Sequence, residues 1–121
     1  MPPMDHALKQ TPDLTVVVAA YKERSTIIQL LERVAAVPVS KEIIVVDNCS
    51  TDGTRELLAT LDGLARVILQ PRNLGKGTSI RTAIPHARGE YFIIQDADLE
   101  YDPEQYPRLM AHAREHDLDA L

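Results

Sequence analysis

The feature that most constrains the fold is a regular alternation of short apolar runs with segments of helical periodicity. Apolar and β-branched runs predict strands at residues 14–20, 41–47, 65–70 and 91–95. Helical spacing of apolar residues predicts helices at residues 25–36, 54–61, 78–88 and 103–116. Strands joined by long crossover connections pair in parallel. The sequence therefore predicts an α/β fold with a Rossmann-like, mostly parallel sheet and helices on both faces.

The length of 121 residues allows one domain. Residues 1–13 are interpreted as a flexible N-terminal leader, because three prolines stand among polar residues there. Residues 14–121 are assigned to the α/β domain. The segment 117–121 resembles the start of a fifth strand, so we expect a sheet that is truncated after about four βα units. The unfinished sheet edge predicts a homodimer, and the alternative is a monomer in which the helix at residues 103–116 shields that edge.

Composition excludes several functions. A net charge of -5 with 4% aromatic residues argues against a nucleic-acid partner. The single cysteine, Cys49, has no internal partner for a disulfide and fits a reducing compartment. No apolar run approaches the roughly 18 residues of a membrane span, and a signal-peptide pattern is absent. These features predict a cytoplasmic location.

Polar clusters follow each predicted strand, at residues 20–23, 47–52, 72–76 and 96–100. In parallel α/β sheets, ligands bind at the carboxyl ends of the strands, where the strand order reverses. Because the carboxyl ends of parallel strands meet at one edge, the sequence predicts a binding site at that edge.

The acidic cluster after the fourth strand predicts a metal site. Asp96 and Asp98 lie two residues apart and share a face of an extended chain, and Glu100 follows. Like charges this close repel each other unless a cation lies between them. Mg²⁺ or Mn²⁺ prefers such oxygen ligands and often shares them with a phosphate. The alternative is a solvated acidic turn.

The other clusters have two interpretations each. Tyr21 and Glu23 suit contacts to a nucleobase, a ribose or sugar hydroxyls, or else Tyr21 packs on the sheet edge and Glu23 favours a helix N-terminus. Asp47 at the end of a strand can accept hydrogen bonds from a nucleoside. We expect residues 50–52 to cap the helix that follows them.

Lys76 lies between two glycines just before a predicted helix, where backbone amides and a positive charge suit an anion. The alternative for Lys76 is a solvated loop position. The spacing is not that of the phosphate-loop motif, and no dinucleotide glycine fingerprint follows the first strand, which disfavours a dehydrogenase.

Together these segments resemble family-two glycosyltransferases, in particular the nucleotide-binding half of the dolichyl-phosphate mannose synthase-like group. The resemblance is carried by residues 16–23, 42–53, 73–77 and 95–103, and it runs from about residue 14 to residue 121. The family implies the glycosyltransferase A-type of Rossmann-like fold. It also implies transfer of a sugar from a nucleoside-diphosphate sugar to an acceptor.

The resemblance implies roles for individual residues. The implied nucleotide-binding set is Ala19, Tyr21, Glu23, Asp47, Lys76 and Asp96. The implied ligands of a Mg²⁺ or Mn²⁺ ion are Asp96, Asp98 and Glu100. Glu100 stands where the synthase-like members have Gln. The implied donor is UDP- or GDP-linked, and one candidate acceptor is a polyprenyl phosphate, which would place the protein at the cytoplasmic face of a membrane.

Four positions depart from the family pattern and leave the donor base open. Ala19 stands for Pro, Lys22 for Asn, Asn48 for a second Asp, and Cys49 for Gly. The catalytic base and the acceptor side are expected beyond Leu121. A non-catalytic module that binds a nucleotide or nucleotide-sugar is therefore the alternative function. A receiver-type phosphoacceptor is disfavoured, because residues 19–22 lack its acidic pair.

Overall fold

The structure is a computed structural model, and it describes residues 12–22, 24–60, 65–96 and 103–116, with only the backbone at Asp96. The strands are β1 (Leu14–Ala20), β2 (Lys41–Asp47), β3 (Arg66–Leu69) and β4 (Tyr91–Asp96). The α-helices are α1 (Ile27–Ala36), α2 (Thr54–Leu58), α3 (Lys76–Ala83) and α4 (Tyr106–Glu115). Short 3₁₀ turns lie at Ile84–His86 and Pro103–Gln105.

The four strands form a parallel sheet in the order β3-β2-β1-β4. Strand β1 is central, and all but one of its residues are buried. A strand that is covered on both faces needs an almost continuous apolar run, which is what residues 14–20 supply. The strand order reverses at β1, since β2 and β3 lie on one side and β4 on the other. The predicted parallel α/β sheet is confirmed.

Helices cover both faces of the sheet, as predicted. On the first face, α1, α2 and α4 pack on alternate residues of the strands, in a cluster that includes Leu14, Val16, Val18, Leu31, Leu58 and Met110. On the second face, α3 packs on β1 and β2 through Ala83, Val17, Ile44 and Val46. Apolar burial on both faces holds the carboxyl edge of the sheet in a defined position.

Strand bounds agree with the predictions more closely than helix bounds. Helix α1 begins at Ile27, two residues later than predicted, and α3 begins at Lys76, two residues earlier. Helix α3 also ends earlier, at Ala83, because Pro85 lies in the 3₁₀ turn that follows. Helix α2 ends at Leu58, three residues earlier than predicted, because a turn follows at Ala59 and Thr60. The fifth strand predicted at 117–121 lies outside the described residues.

The predicted leader is described only at its last two residues. Asp13 donates its backbone N–H to the carbonyl of Ser40, and the carbonyl of Pro12 accepts from Glu90. The ordered edge of the sheet thus includes residues 12 and 13. Ile94, on the outer strand β4, is 39% exposed. The predicted homodimer through this edge stays a prediction. None of the helices in the described ranges is long and apolar enough to cross a membrane.

Candidate functional site

The carboxyl edge of the sheet brings several predicted site residues together. Ala19 on β1 is aligned with Asp96 on β4, and Ala20 is aligned with Asp47 on β2. Tyr21 follows directly after β1 and is 38% exposed. These five positions therefore lie at the ends of three adjacent strands, at the point where the strand order reverses. A ligand at this edge meets all three strand ends at once.

Lys76 is the first residue of α3 and is exposed to solvent. Gly75, just before it, has a φ of 88°, in a region that other residues adopt only with strain. The helix begins at Lys76 because this turn lets the carbonyl of Gly75 accept the N–H of Ser79. Lys76 therefore lies in the first turn of a helix, whereas the sequence had predicted a loop position.

The Asp47 carboxylate points into the protein and is completely buried. It accepts hydrogen bonds from the backbone N–H of Ser50 at 3.0 Å and from the Ser50 hydroxyl at 2.6 Å. Arg55 Nε lies 2.7 Å from Asp47 Oδ2 as an ion pair, although its direction is not that of a hydrogen bond. These contacts hold the loop between β2 and α2, and the nucleoside contact predicted for Asp47 stays a prediction.

Arg55 was missed by the sequence analysis. Its guanidinium contacts Asp47 and also donates through Nη2 to the carbonyl of Gln70, at the end of β3. One side chain therefore links the carboxyl ends of two adjacent strands. A signal was available, since a cation in the first turn of a helix is unfavourable with the helix dipole unless a carboxylate is close.

Asn48 ties the end of β2 to the loop that precedes α3. Its Oδ1 accepts the N–H of Leu74 at 2.8 Å, and its Nδ2 donates to Asn73 Oδ1 at 2.7 Å. Asn73 Oδ1 also accepts the N–H of Gly75 at 3.0 Å, so backbone donors define the orientation of both amides. A carboxylate at position 48 has no proton to donate to Asn73. The replacement of the family's Asp by Asn48 is explained by this link.

The loop after β1 is held by the loop after β2. Ser50 Oγ accepts the N–H of Lys22 at 2.8 Å, and Asp52 Oδ2 accepts the N–H of Arg24 at 3.4 Å. Asp52 also accepts from the hydroxyl and the N–H of Thr54, and chiefly the hydroxyl holds the pKa of Asp52 below its ordinary value.

The N-cap of α2 is Gly53, which has no side chain to cap the helix, so residues 50–52 are not the N-cap. Asp52, one residue earlier, accepts from the first helical residue, Thr54, and Ser50 instead joins the two loops.

Two residues at this edge adopt left-handed backbone conformations without being glycine. Lys22 has a φ of 54° and Cys49 has a φ of 62°. Both are positions at which the sequence departs from the family pattern. Such conformations cost about 1–2 kcal/mol each and persist where the surrounding contacts enforce them. Lys22 also lines a cavity of about 690 Å³, together with Arg24, Ser25, Asp52 and Leu57.

The predicted metal ligands lie largely outside the described residues. Asp98, Glu100 and the side chain of Asp96 are not described, and neither is Glu23 of the predicted nucleotide-binding set. Within the described part of the chain, no group of three His, Cys, Asp or Glu side chains is placed to hold a metal. Strand β4 ends at Asp96 beside Ala19, and Asp98 and Glu100 follow Asp96 in the sequence, so the metal site stays a prediction. Carboxylates are donors that suit Mg²⁺ or Mn²⁺.

Known proteins share this sequence pattern. The family model for glycosyl transferase family 2 matches residues 15–121. The succinoglycan biosynthesis protein ExoO of Rhizobium meliloti is 37% identical over 109 residues, which are 88% of this chain and 31% of that protein. The dodecaprenyl-phosphate galacturonate synthase of Rhizobium johnstonii is 35% identical over 121 residues, with 93% of this chain and 36% of that protein covered.

Solved structures share the fold. S. aureus TarS in complex with UDP-GlcNAc superposes with a TM-score of 0.75 at 27% identity, over 87% of this chain and 32% of that one. Glucosyl-3-phosphoglycerate synthase of Mycobacterium tuberculosis, in complex with Mn²⁺, UDP and glucosyl-3-phosphoglycerate, superposes with a TM-score of 0.67 at 29% identity, over 87% and 40% of the two chains. The chain spans about a third of the length of the curated relatives it matches.

Proposed function

Since the chain belongs to glycosyl transferase family 2, we propose that it is the donor-binding part of an enzyme that transfers a sugar from a nucleoside-diphosphate sugar to an acceptor. The observation that carries this proposal is the alignment of Ala19 with Asp96 and of Ala20 with Asp47. This alignment brings Ala19, Asp47 and Asp96 to one edge of the sheet, the edge at which α/β proteins bind nucleotides, and so supports the proposal.

Exposed groups at this edge suit a nucleotide. Tyr21 offers an accessible ring and hydroxyl for a base or ribose, and Lys76 offers a positive charge at a helix start. Ala19 and Glu23 belong to the same proposed set. For Asp47, the contacts with Ser50 and Arg55 favour a role in holding the loop beneath the nucleoside.

A divalent cation is part of the proposal. Asp96, Asp98 and Glu100 would hold it, and the presence of Mn²⁺ and UDP in the Mycobacterium tuberculosis relative supports this choice. When bound, such an ion neutralises negative charge on the leaving nucleoside diphosphate. The residues of this chain bind and orient the donor.

A polyprenyl phosphate is the proposed acceptor. The Rhizobium johnstonii relative, a dodecaprenyl-phosphate galacturonate synthase, supports this class of acceptor. An enzyme of this kind would work at the cytoplasmic face of a membrane. The second candidate is a module that binds a nucleotide or a nucleotide-sugar without catalysis. Slow Mn²⁺-dependent release of UDP or GDP from a nucleotide-sugar by the 121-residue chain separates the two candidates, because a module without catalysis releases none.

Calorimetry tests the site directly. We expect UDP or GDP to bind the 121-residue chain at least about ten-fold more tightly with Mn²⁺ than with EDTA, a difference of about 1.4 kcal/mol. Asp98→Ala should remove this increment and leave the circular dichroism spectrum unchanged. Glu115→Ala, at an exposed position on α4, is the matched control and should keep the increment. Equal affinity with Mn²⁺ and with EDTA in the unmodified chain contradicts the proposed function.

A further inference from the structure

Two exposed histidines lie together at the end of helix α4. His112 and His116 are four residues apart, and their ring centroids lie 4.4 Å from each other with the rings tilted by 48°. The backbone between them is helical, since the N–H of His116 donates to the carbonyl of His112 at 3.0 Å. Among the residues that the structure describes, no side chain forms a hydrogen bond with either imidazole. Both rings therefore keep a nitrogen for an external ligand.

The histidine pair lies at the edge of the sheet opposite to the proposed donor site. Helix α4 runs from the carboxyl edge of the sheet to the amino edge, where the strands begin. At its start, the Tyr106 hydroxyl donates to Gln95, near the end of β4. At its end, Arg114 Nη2 lies 3.8 Å from Asp13 Oδ2 and 4.0 Å from Glu90 Oε2, and these two residues directly precede β1 and β4. The pair is thus separate from the groups that the proposed function uses.

Two histidines at this spacing can chelate one metal ion. Residues four apart share a face of a helix, and helices present two histidines to Zn²⁺ at this spacing. Zn–N distances are about 2.0–2.1 Å, so two nitrogens on one ion lie within about 4 Å of each other, which a centroid separation of 4.4 Å allows. Imidazole nitrogen suits Zn²⁺, Ni²⁺ and Cu²⁺, whereas Mg²⁺ and Mn²⁺ prefer carboxylate oxygen. The negative end of the helix dipole also favours a cation at this position.

We propose that His112 and His116 bind one transition-metal ion of the Zn²⁺, Ni²⁺ or Cu²⁺ class at the end of α4. The protein supplies two ligands, and water supplies the others. The ion links the residues of the last helical turn, the part of a helix that frays first. An unfolded chain holds the two rings at no fixed separation, so the ion binds the folded state preferentially and stabilises it. This proposal does not rest on the proposed function.

Calorimetric titration with Ni²⁺ tests the pair. The chain is prepared without a histidine tag, and excess Mg²⁺ is present to occupy carboxylate sites. Losing a group that supports a metal ligand costs about 10–100-fold in affinity, so losing a ligand itself should weaken Ni²⁺ binding at least about ten-fold. We expect this loss in His112→Gln and in His116→Gln, because glutamine keeps a polar side chain with good helix propensity and removes the imidazole.

His86→Gln is the matched control. His86 lies in the 3₁₀ turn that follows α3, and its ring contacts no other histidine in the described part of the chain. Its loss should leave the Ni²⁺ affinity unchanged.

Moving the pair by one turn tests the spacing. Residue 108 is also exposed on α4, so Arg108→His combined with His116→Gln puts two histidines at positions 108 and 112. This double variant should bind Ni²⁺ within about three-fold of the unmodified chain, because the two rings again share a face of the helix. A folded double variant that binds Ni²⁺ no better than His116→Gln contradicts chelation by two histidines.

Thermal unfolding gives a second readout. At a Ni²⁺ concentration about 100-fold above its dissociation constant, the melting temperature of the unmodified chain should rise by at least about 5 °C. The rise should be largely lost in His112→Gln and His116→Gln, and two histidines that only contact each other predict no rise at all. Unchanged Ni²⁺ affinity in either variant, or no rise in the unmodified chain, overturns the proposal. Neither result bears on donor binding with Mn²⁺, so the two proposals fail separately.

Discussion

The two edges of the sheet carry similar chemistry and use it differently. At the amino edge, Glu42 accepts from the Thr15 hydroxyl and the backbone N–H of Arg88, and it pairs with the exposed Arg88 guanidinium. At the carboxyl edge, Asp47 accepts twice from Ser50 and pairs with Arg55. Each edge thus contains a carboxylate with an arginine and a hydroxyl, but only the Asp47 carboxylate is completely buried.

The hydrogen bonds at the amino edge satisfy backbone groups at the ends of helices and strands. Lys41 Nζ donates to the carbonyls of Ala35, Val37 and Val39, and so satisfies backbone acceptors at the end of α1 and just after it. Burial lowers the pKa of Lys41. In the described part of the chain, no residue at this edge other than glycine has a positive φ.

The bonds at the carboxyl edge join loops to loops and hold Lys22 and Cys49 in left-handed conformations. Backbone strain of this kind persists where loop geometry is fixed by several contacts. A polar residue at a strand end is therefore not enough to indicate a functional site. A better indication is a set of loops that are hydrogen-bonded to one another and surround exposed side chains such as Tyr21 and Lys76.

Arg55→Met should give the largest effect, because it leaves the buried Asp47 carboxylate without its counter-charge. We expect the free energy of unfolding to fall by about 3 kcal/mol, measured by urea denaturation. Arg88→Met at the other edge should cost less than about 1 kcal/mol, since the Arg88 side chain is 63% exposed. Adding Asp47→Asn to Arg55→Met should restore part of the loss. Equal losses for the two arginine variants would remove the distinction between the edges.

Gly89→Ala should give the next largest effect, at the amino edge. A Cβ at position 89 would lie 2.5 Å from the backbone N of Thr15 and 2.7 Å from the carbonyl carbon of Leu14, and neither atom can move freely. We expect a loss of about 2 kcal/mol in thermal unfolding.

Gly77→Ala in α3 is the matched control, because the nearest atom would lie 3.9 Å away, on the flexible Arg81 side chain. The higher helix propensity of alanine should make that variant about 0.5–1 kcal/mol more stable. A neutral Gly89→Ala would contradict the close approach of residue 89 to β1.

Glu42→Gln should give the smallest effect and a pH signature. Burial alone raises the pKa of Glu42, but the hydrogen bonds from Thr15 and Arg88 outweigh it and set the pKa below its ordinary value of 4.5. A carboxyl whose pKa is lower in the folded state stabilises the fold above pH 4.5 and loses that contribution as the pH falls through its folded pKa.

We therefore expect Glu42→Gln to cost about 1 kcal/mol at pH 7 and less at pH 3. The measurement is urea denaturation at both pH values. Some loss of stability towards acid should persist in the variant, because the pKa of Asp52 is also lowered. A variant that loses the same free energy at pH 3 and at pH 7 would show that Glu42 is not the titrating group.

The sequence was sufficient for the strands and for the edge of the sheet at which several predicted site residues meet. The bounds of β1 and β2 agree with the prediction residue for residue, because the buried part of each strand is a run of mostly apolar, β-branched residues. The parallel sheet followed from the long connections, and the gathering of Ala19, Asp47 and Asp96 followed from the parallel sheet. Each of these inferences needs only local patterns and the geometry of strands.

The tertiary structure alone decided the strand order and the side-chain partners. The sequence of β4 does not show that β4 pairs with β1, because the neighbour of β4 depends on how α3 crosses the sheet. The pairs Asp47–Arg55, Asn48–Asn73 and Gln95–Tyr106 join residues from different elements. A hydrogen bond forms only when the donor–acceptor distance lies within a few tenths of an ångström of its optimum and the angle within a narrow range. Packing of the whole domain sets those distances.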